Sequence, residues 1–177
     1  MNRQWIKRGL IIVILLQITV LTAEYLFSVY PLWTGKEVRL KTVPVDPRSL
    51  FRGNYALLNY DISSVSLSDQ ADIINPRAGE IIYVKLKQGE NDLHVFDGAS
   101  FSKPESGLFI RGRIKSNFVS QTTQPYTVKY GIEAYFAPKE KALELEKQLR
   151  NGGIALVMLT ENGKASLKDV TGEQQGN

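Results

Sequence analysis

Two arginines set two residues apart are the first candidates for chemistry. In Leu108–Lys115, Leu108, Ile110, Gly112 and Ile114 alternate with Phe109, Arg111, Arg113 and Lys115. Residues two apart on a strand share a face, so Arg111 and Arg113 project together beside Phe109. Two guanidinium forks at that spacing could clamp a carboxylate or a phosphate. The plainer reading is a solvated sheet face, where exposed charges contribute little. His94 is the only histidine, and the chain contains no cysteine. A single imidazole without a second His or a Cys is a poor metal site. No metal and no cofactor are expected.

Nucleophilic catalysis has equally few parts. A Ser/Lys hydrolase needs a serine within reach of an amine that acts as its base. Ser49 and Lys85 are available, but nothing in the sequence brings them together. Signal-peptidase-like serine proteases also have a Gly-Asp turn feeding a strand, with the nucleophile upstream. Here the upstream position is Val45 or nearby, and the Ser-Met pair is absent. A Ser-His-Asp triad would require His94, whose neighbours form no nucleophile elbow. Glu140, Glu144 and Glu146 are most simply a solvated helix face. No catalytic residue is assigned, and the chain is not expected to be an enzyme.

The elements that must position these residues begin with an anchor. Arg3, Lys7 and Arg8 precede Gly9–Ala23, which carries no charge. After Glu24 the apolar run resumes and ends before Lys36. Roughly 20 helical residues cross a hydrocarbon core of about 30 Å, so Leu10 to about Phe27 or Tyr30 fits a span. Tyr25, Phe27, Tyr30 and Trp33 cluster at the far end, as an interfacial aromatic belt does. Basic flanks stay cytoplasmic, which puts residues 1–8 inside and everything after the anchor of residues 9–33 outside. The competing reading is a cleaved signal peptide, but Leu21-Thr22-Ala23 is a poor cleavage site and the run continues past it.

The remaining 140 or so residues suit one domain. The chain holds 22 Lys+Arg against 18 Asp+Glu. Part of that basicity lies in the short N-terminal tail, and no basic stripe with interleaved aromatics occurs, so nucleic-acid binding has no support. Period-two patterns predict strands at Glu37–Val43, Tyr55–Ile62, Glu80–Lys87, Leu93–Phe96, Leu108–Lys115, Tyr126–Phe136, Ile154–Leu159 and Ala165–Val170. Asn162-Gly163 reads as a hairpin turn. One helix is predicted after Pro138, with Ala142, Leu145 and Leu149 at helical spacing and a Glu146–Arg150 pair, ending at Asn151-Gly152-Gly153. The polar loop 63–79 has a short helix as its candidate element, at 68–73. The fold class is mainly β (α+β): an N-terminal transmembrane helix, then a twisted or barrel-like antiparallel domain over 36–170 with one helix in its C-terminal half. Residues 171–177 form a tail.

Residues 45–63 carry the most distinctive pattern. Asp46-Pro47 suits the start of a helical turn. Arg52-Gly53-Asn54 then reverses the chain, with Gly53 free to take positive φ. Tyr55–Tyr60 leaves as a strand, with Leu58, Tyr60 and Ile62 on one face. The stretch GNYALLNY (residues 53–60) resembles the signature of the bacterial GDYXXLXY family of membrane-anchored proteins. VDPRSLFR before it, FIRGRI (109–114) and YGIEAYF (130–136) are similar to that family in the same order, over roughly residues 38–170. Members are often fused to, or encoded beside, multi-pass membrane proteins. The resemblance therefore implies a partner in the same bilayer rather than a reaction. Asn54 stands where the family usually has Asp, which keeps the turn-forming carbonyl and removes the charge.

The expected function is a single-pass, membrane-anchored, extracytoplasmic module that binds a multi-pass membrane partner; the location is periplasmic where an outer membrane exists. The binding candidates are Asp46, Arg48, Arg52, Gly53, Asn54, Tyr55 and Tyr60, followed by Arg111 and Arg113. The alternative is a module for a small ligand or an envelope polymer, using aromatics and arginines in a barrel mouth.

Overall fold

A helix of 32 residues opens the chain: α1, Arg3–Thr34. The computed structural model describes residues 3–43, 55–66, 76–115, 125–136 and 138–172. Among these, α1 is the one helix long and apolar enough to cross a membrane, and its span is unburied by the rest of the protein. Pro31 lies inside its last turns and is itself buried. Proline has no N–H, so the carbonyl four residues earlier loses its helical donor. That carbonyl belongs to Phe27, and the Lys164 ammonium donates to it at 3.2 Å. Gly35 N–H then donates to Pro31 O at 2.9 Å and closes the helix. A Cβ on Gly35 would stand 2.5 Å from Pro31 O and 3.0 Å from Leu159 N, so the chain can pass here only as glycine.

Strand β1 (Lys36–Val43) follows with no linker. The later strands are β2 (Tyr55–Leu57), β3 (Asn59–Tyr60), β4 (Ser64–Val65), β5 (Ile81–Gln88), β6 (Leu93–Ser100), β7 (Leu108–Ile114), β8 (Tyr126–Lys129), β9 (Ala134–Phe136), β10 (Gly153–Leu159) and β11 (Ala165–Gly172). Helix α2 (Lys139–Gln148) lies between β9 and β10. The large sheet runs β11-β10-β1-β6-β5-β7-β8-β4, with β3 also beside β1, while β2 and β9 form a separate ribbon. Pairing is antiparallel except between β1 and β6, which run parallel at Arg39↔Leu93 and Leu40↔His94. The fold class is thus as expected, with two refinements: the sheet is mixed, and among the described residues it does not close into a barrel. The tip of the β10–β11 hairpin comes back to β7 through one bond, Arg111 N–H to Gly163 O at 2.8 Å.

The period-two alternation does what such patterns do: one face of β1, β5, β7 and β10 enters the core. Val38 and Leu40 of β1, Ile82 and Val84 of β5, Ile110 of β7 and Val157 of β10 are fully enclosed. Leu145 and Leu149, four apart on one helix face, bring α2 onto the same core. The side chains of Ala142, Glu146 and Arg150 lie outside the described residues, as does the 68–73 segment.

Two predicted strands are broken. Tyr55–Ile62 divides at Leu58 into β2 and β3, and Asp61–Ser63 winds into a 3₁₀ turn. Tyr126–Phe136 divides into β8 and β9. The cause of the second break is local. Gly131 takes φ +83°, and the Glu133 carboxylate folds back to accept N–H bonds from Tyr130 (2.5 Å) and Gly131 (3.0 Å). Alternation restarts out of phase after such a turn, so Ala134 and Phe136 face outward instead of joining Val128 and Tyr130 inside. These splits, together with the short unpredicted β4, give eleven strands among the described residues, against the eight predicted. Ile154–Leu159 lies within β10, between β1 and the edge strand β11.

Candidate functional site

The two breaks face each other, and a pair of tyrosines joins them. Tyr60 OH donates to Ile132 O at 2.5 Å, and Tyr130 OH donates to Ile62 O at 2.5 Å. Each phenol therefore reaches the carbonyl two residues beyond the other tyrosine. The backbone adds Leu58 N–H to Glu133 O at 2.8 Å. Both rings are buried, Tyr60 at 2 % exposure and Tyr130 at 7 %. Burial, reinforced by the Glu133 charge, holds both phenols far above the ordinary tyrosine pKa. Neutral phenols that stay protonated and donate to backbone carbonyls make a brace, with both O–H donors used inside the fold. Gly112 completes the arrangement. A Cβ there would stand 2.3 Å from Val128 Cγ1 and 2.9 Å from Tyr130 Cδ1. GNYALLNY, FIRGRI and YGIEAYF thus meet in the core through Tyr60, Gly112 and Tyr130.

The other candidates scatter. Asp46, Arg48, Arg52, Gly53 and Asn54 lie outside the described residues, as does Ser49. Tyr55 begins β2 opposite Phe136, and its side chain is not among those described. Arg111 and Arg113 do share the outer face of β7, opposite Tyr83 and Ile81 of β5. Arg113 Nη1 donates to Gly79 O at 2.8 Å, tying β7 to the turn before β5. Lys85 stands opposite Phe109 on this face, and Lys129 opposite Arg113. Tyr83 and Phe109 pack edge to face, with ring centroids 5.7 Å apart, between these cations. Among the described residues no salt bridge neutralises Lys85, Arg111, Arg113 or Lys129. The face can attract anions, with two aromatic rings as an apolar floor.

Sequence reasoning missed two polar clusters, because each is assembled from distant strands. Lys36, Glu37, Arg39, Gln88, Asp92 and His94 line a shallow cleft of about 280 Å³ beside the start of β1. Desolvation first, then the charge of Lys36, lowers the His94 pKa below its ordinary value. His94 Nδ1 is enclosed without a hydrogen-bond partner among the described residues. At the β11 edge of the sheet, Tyr135 OH donates to Asp169 Oδ1 at 3.0 Å, and Lys141 Nζ donates to Tyr135 OH at 3.0 Å and to Asp169 Oδ1 at 3.3 Å. This group staples α2 to β9 and β11. Partial burial pushes the Asp169 carboxyl upward, but the Val170 N–H, Tyr135 and Lys141 outweigh it and hold it below the usual range. Among the described residues no three His, Cys, Asp or Glu side chains are grouped to hold a metal.

Comparison with known proteins places these motifs. No curated protein matches the chain, and no solved structure does. A family model described as GDYXXLXY protein matches residues 17–170, beginning inside α1 and ending in β11. The chain belongs to the GDYXXLXY family.

Proposed function

We propose that this protein is a single-pass membrane protein with its N-terminus in the cytoplasm, whose extracytoplasmic β domain is a non-catalytic binding or accessory module for a multi-pass membrane partner. The observation that carries this reading is the direct passage from α1 into β1 across Gly35 alone. A domain joined to its span without a linker is held at the bilayer surface, where a membrane partner's loops lie. The positive N-terminal flank supports the orientation. Exposed basic residues available for such a contact include Arg111 and its neighbours on β5 and β7.

Crosslinking in intact membranes, followed by identification of what co-purifies, tests the proposal. The expected result is enrichment of one multi-pass protein. Its absence, with only soluble envelope components recovered, overturns the partner assignment. Protease added outside a permeabilised outer layer should digest residues 36–177; protection of that region reverses the topology.

A second reading has its own observation. Lys85, Arg111 and Lys129 lack ion-pair partners among the described residues and flank Tyr83 and Phe109. That composition suits an anionic envelope polymer or small anion. Binding of a polyanion to the purified full chain, lost in Arg111→Ala, would favour it over the protein partner.

A further inference from the structure

We infer that the tip of the β10–β11 hairpin, with Lys164 and the adjoining Lys103–Phe109 pair, is a phospholipid-headgroup surface that seats the β domain directly on the bilayer. The inference rests on the membrane-anchor reading of α1 and adds where the bilayer ends and what touches it.

The argument starts from Pro31. Its missing N–H strips Phe27 O of a helical donor. A bare carbonyl inside hydrocarbon would be costly, because nothing there can satisfy it. The Lys164 ammonium supplies the donor at 3.2 Å, so a charged group sits at the level of Phe27. An ammonium belongs at the headgroup layer and not among acyl chains. The hydrocarbon must therefore end near Phe27. From Arg8 to Phe27 the helix rises about 28 Å, close to the roughly 30 Å of a hydrocarbon core. Both ends of the span are thus marked by a cation.

The last part of α1, from Ser28 to Thr34, rises only about 10 Å more. The headgroup region is of comparable thickness, as the total bilayer exceeds its core by about 10–15 Å. The hairpin lies against this part of α1, and both β10 and β11 touch the helix. The tip consequently lies within the headgroup layer. Its exposed residues are Glu161, Asn162 and Lys164. Phe109 packs against Gly163, where an added Cβ would stand 2.7 Å from the ring. Lys103 Nζ lies 6.0 Å from the centroid of that ring, which brings a second ammonium to the same corner. The corner thus carries two ammonium groups, one over the Phe109 ring and one on the residue after Gly163, as a phosphate-bearing interface accommodates. Lys164 spends one N–H on Phe27 O and keeps two for phosphate oxygens.

The absence of cysteine makes a direct test available, since one introduced thiol labels one site. The full chain is placed in lipid nanodiscs of phosphatidylcholine with phosphatidylglycerol, carrying a fluorophore at Glu161→Cys, Ala78→Cys or Leu15→Cys. Ala78 lies beside the far end of β7, whose Ile114 O accepts the N–H of Gly79. A headgroup nitroxide lipid should remove most emission from the Glu161 label and leave the Ala78 label bright. A deep acyl nitroxide should quench only the Leu15 label. A Glu161 label as bright as the Ala78 label, with Leu15 still quenched from the acyl region, overturns the headgroup surface and leaves the anchor standing. A Leu15 label untouched by the acyl nitroxide takes both down. The double variant Lys103→Gln/Lys164→Gln keeps a donor for Phe27 O and removes both charges. It should erase the extra quenching seen with phosphatidylglycerol over phosphatidylcholine alone; persistence of that difference overturns the ammonium–phosphate contact.

Discussion

Tyr60 and Arg111 both stand in family blocks, on or beside short strands, and they do opposite things. Tyr60 turns inward, and its hydroxyl is consumed by Ile132 O. Arg111 turns outward, and no side-chain bond holds it among the described residues. The two regions separate buried packing from exposed charge. The tyrosine brace joins segments about 70 residues apart and spends both O–H donors inside the fold. On the cationic face of β5, β7 and β8, Arg113 is held by Gly79 O, while Lys85, Arg111 and Lys129 have no ion pair among the described residues. A signature residue is therefore not by itself a site residue: Tyr60 of GNYALLNY is a structural tie.

The comparison breaks most easily in the core. Tyr60→Ala or Tyr130→Ala should each cost about 3–5 kcal/mol, the usual cost of deleting a buried aromatic. Because each hydroxyl serves the other's segment, the double variant should cost less than the two losses added together. Denaturant melts of the full chain in detergent measure this; strict additivity would mean the two bonds act independently. Gly112→Ala should cost about 1–3 kcal/mol, because its methyl must displace Val128 or the Tyr130 ring.

Tyr60→Phe sharpens the point, since it removes only the hydroxyl. At neutral pH the loss should be about 1–2 kcal/mol, with Ile132 O left unsatisfied. Alkali gives an independent readout. Burial holds both phenols above their unfolded pKa of about 10, so their contribution is intact below pH 10 and is lost as pH rises towards the folded values. Each phenol should add a slope of about 1.4 kcal/mol per pH unit in that range. The slope in Tyr60→Phe should fall by one phenol's share; an unchanged slope would mean that Tyr60 ionises equally in both states.

The outer face should answer differently. Arg111→Ala should alter stability by no more than about 0.5 kcal/mol, as surface substitutions do. Its effect should appear in binding instead, by about 1–3 kcal/mol where the arginine anchors a partner. Arg113→Ala should be slightly worse for the fold, because Arg113 Nη1 holds Gly79 O. A large loss of stability in Arg111→Ala would collapse the distinction between the two regions. The smallest effect belongs to Asp169. Its carboxyl is held below the usual range in the folded state, so the bonds from Tyr135 and Lys141 persist above the unfolded carboxylate pKa and weaken as pH falls through the folded value. Asp169→Asn should remove that acid sensitivity with little change at pH 7.

What the sequence determined alone is what local periodicity can express. The apolar run from Gly9 onward dictates a spanning-length helix, because no residue there offers a polar face. Val38 and Leu40, Ile82 and Val84, and Leu145 and Leu149 declare their buried faces by spacing of two or four, so most elements and the core were legible. Gly163 and Gly152 marked their turns through the positive φ that glycine allows. Tertiary structure decided the rest, since it depends on contacts between residues far apart in sequence. The alternation of Tyr126–Phe136 reads as one strand until Glu133 folds onto the N–H groups of Tyr130 and Gly131, which no periodicity reveals. The parallel contact of β1 with β6 needs both strands in place. The free carbonyl of Phe27 is implicit in Pro31, but its donor lies 137 residues later at Lys164. Tyr60 and Tyr130 were visible as aromatics on strand faces; that each satisfies the other's backbone follows only once the two turns meet and water is excluded between them.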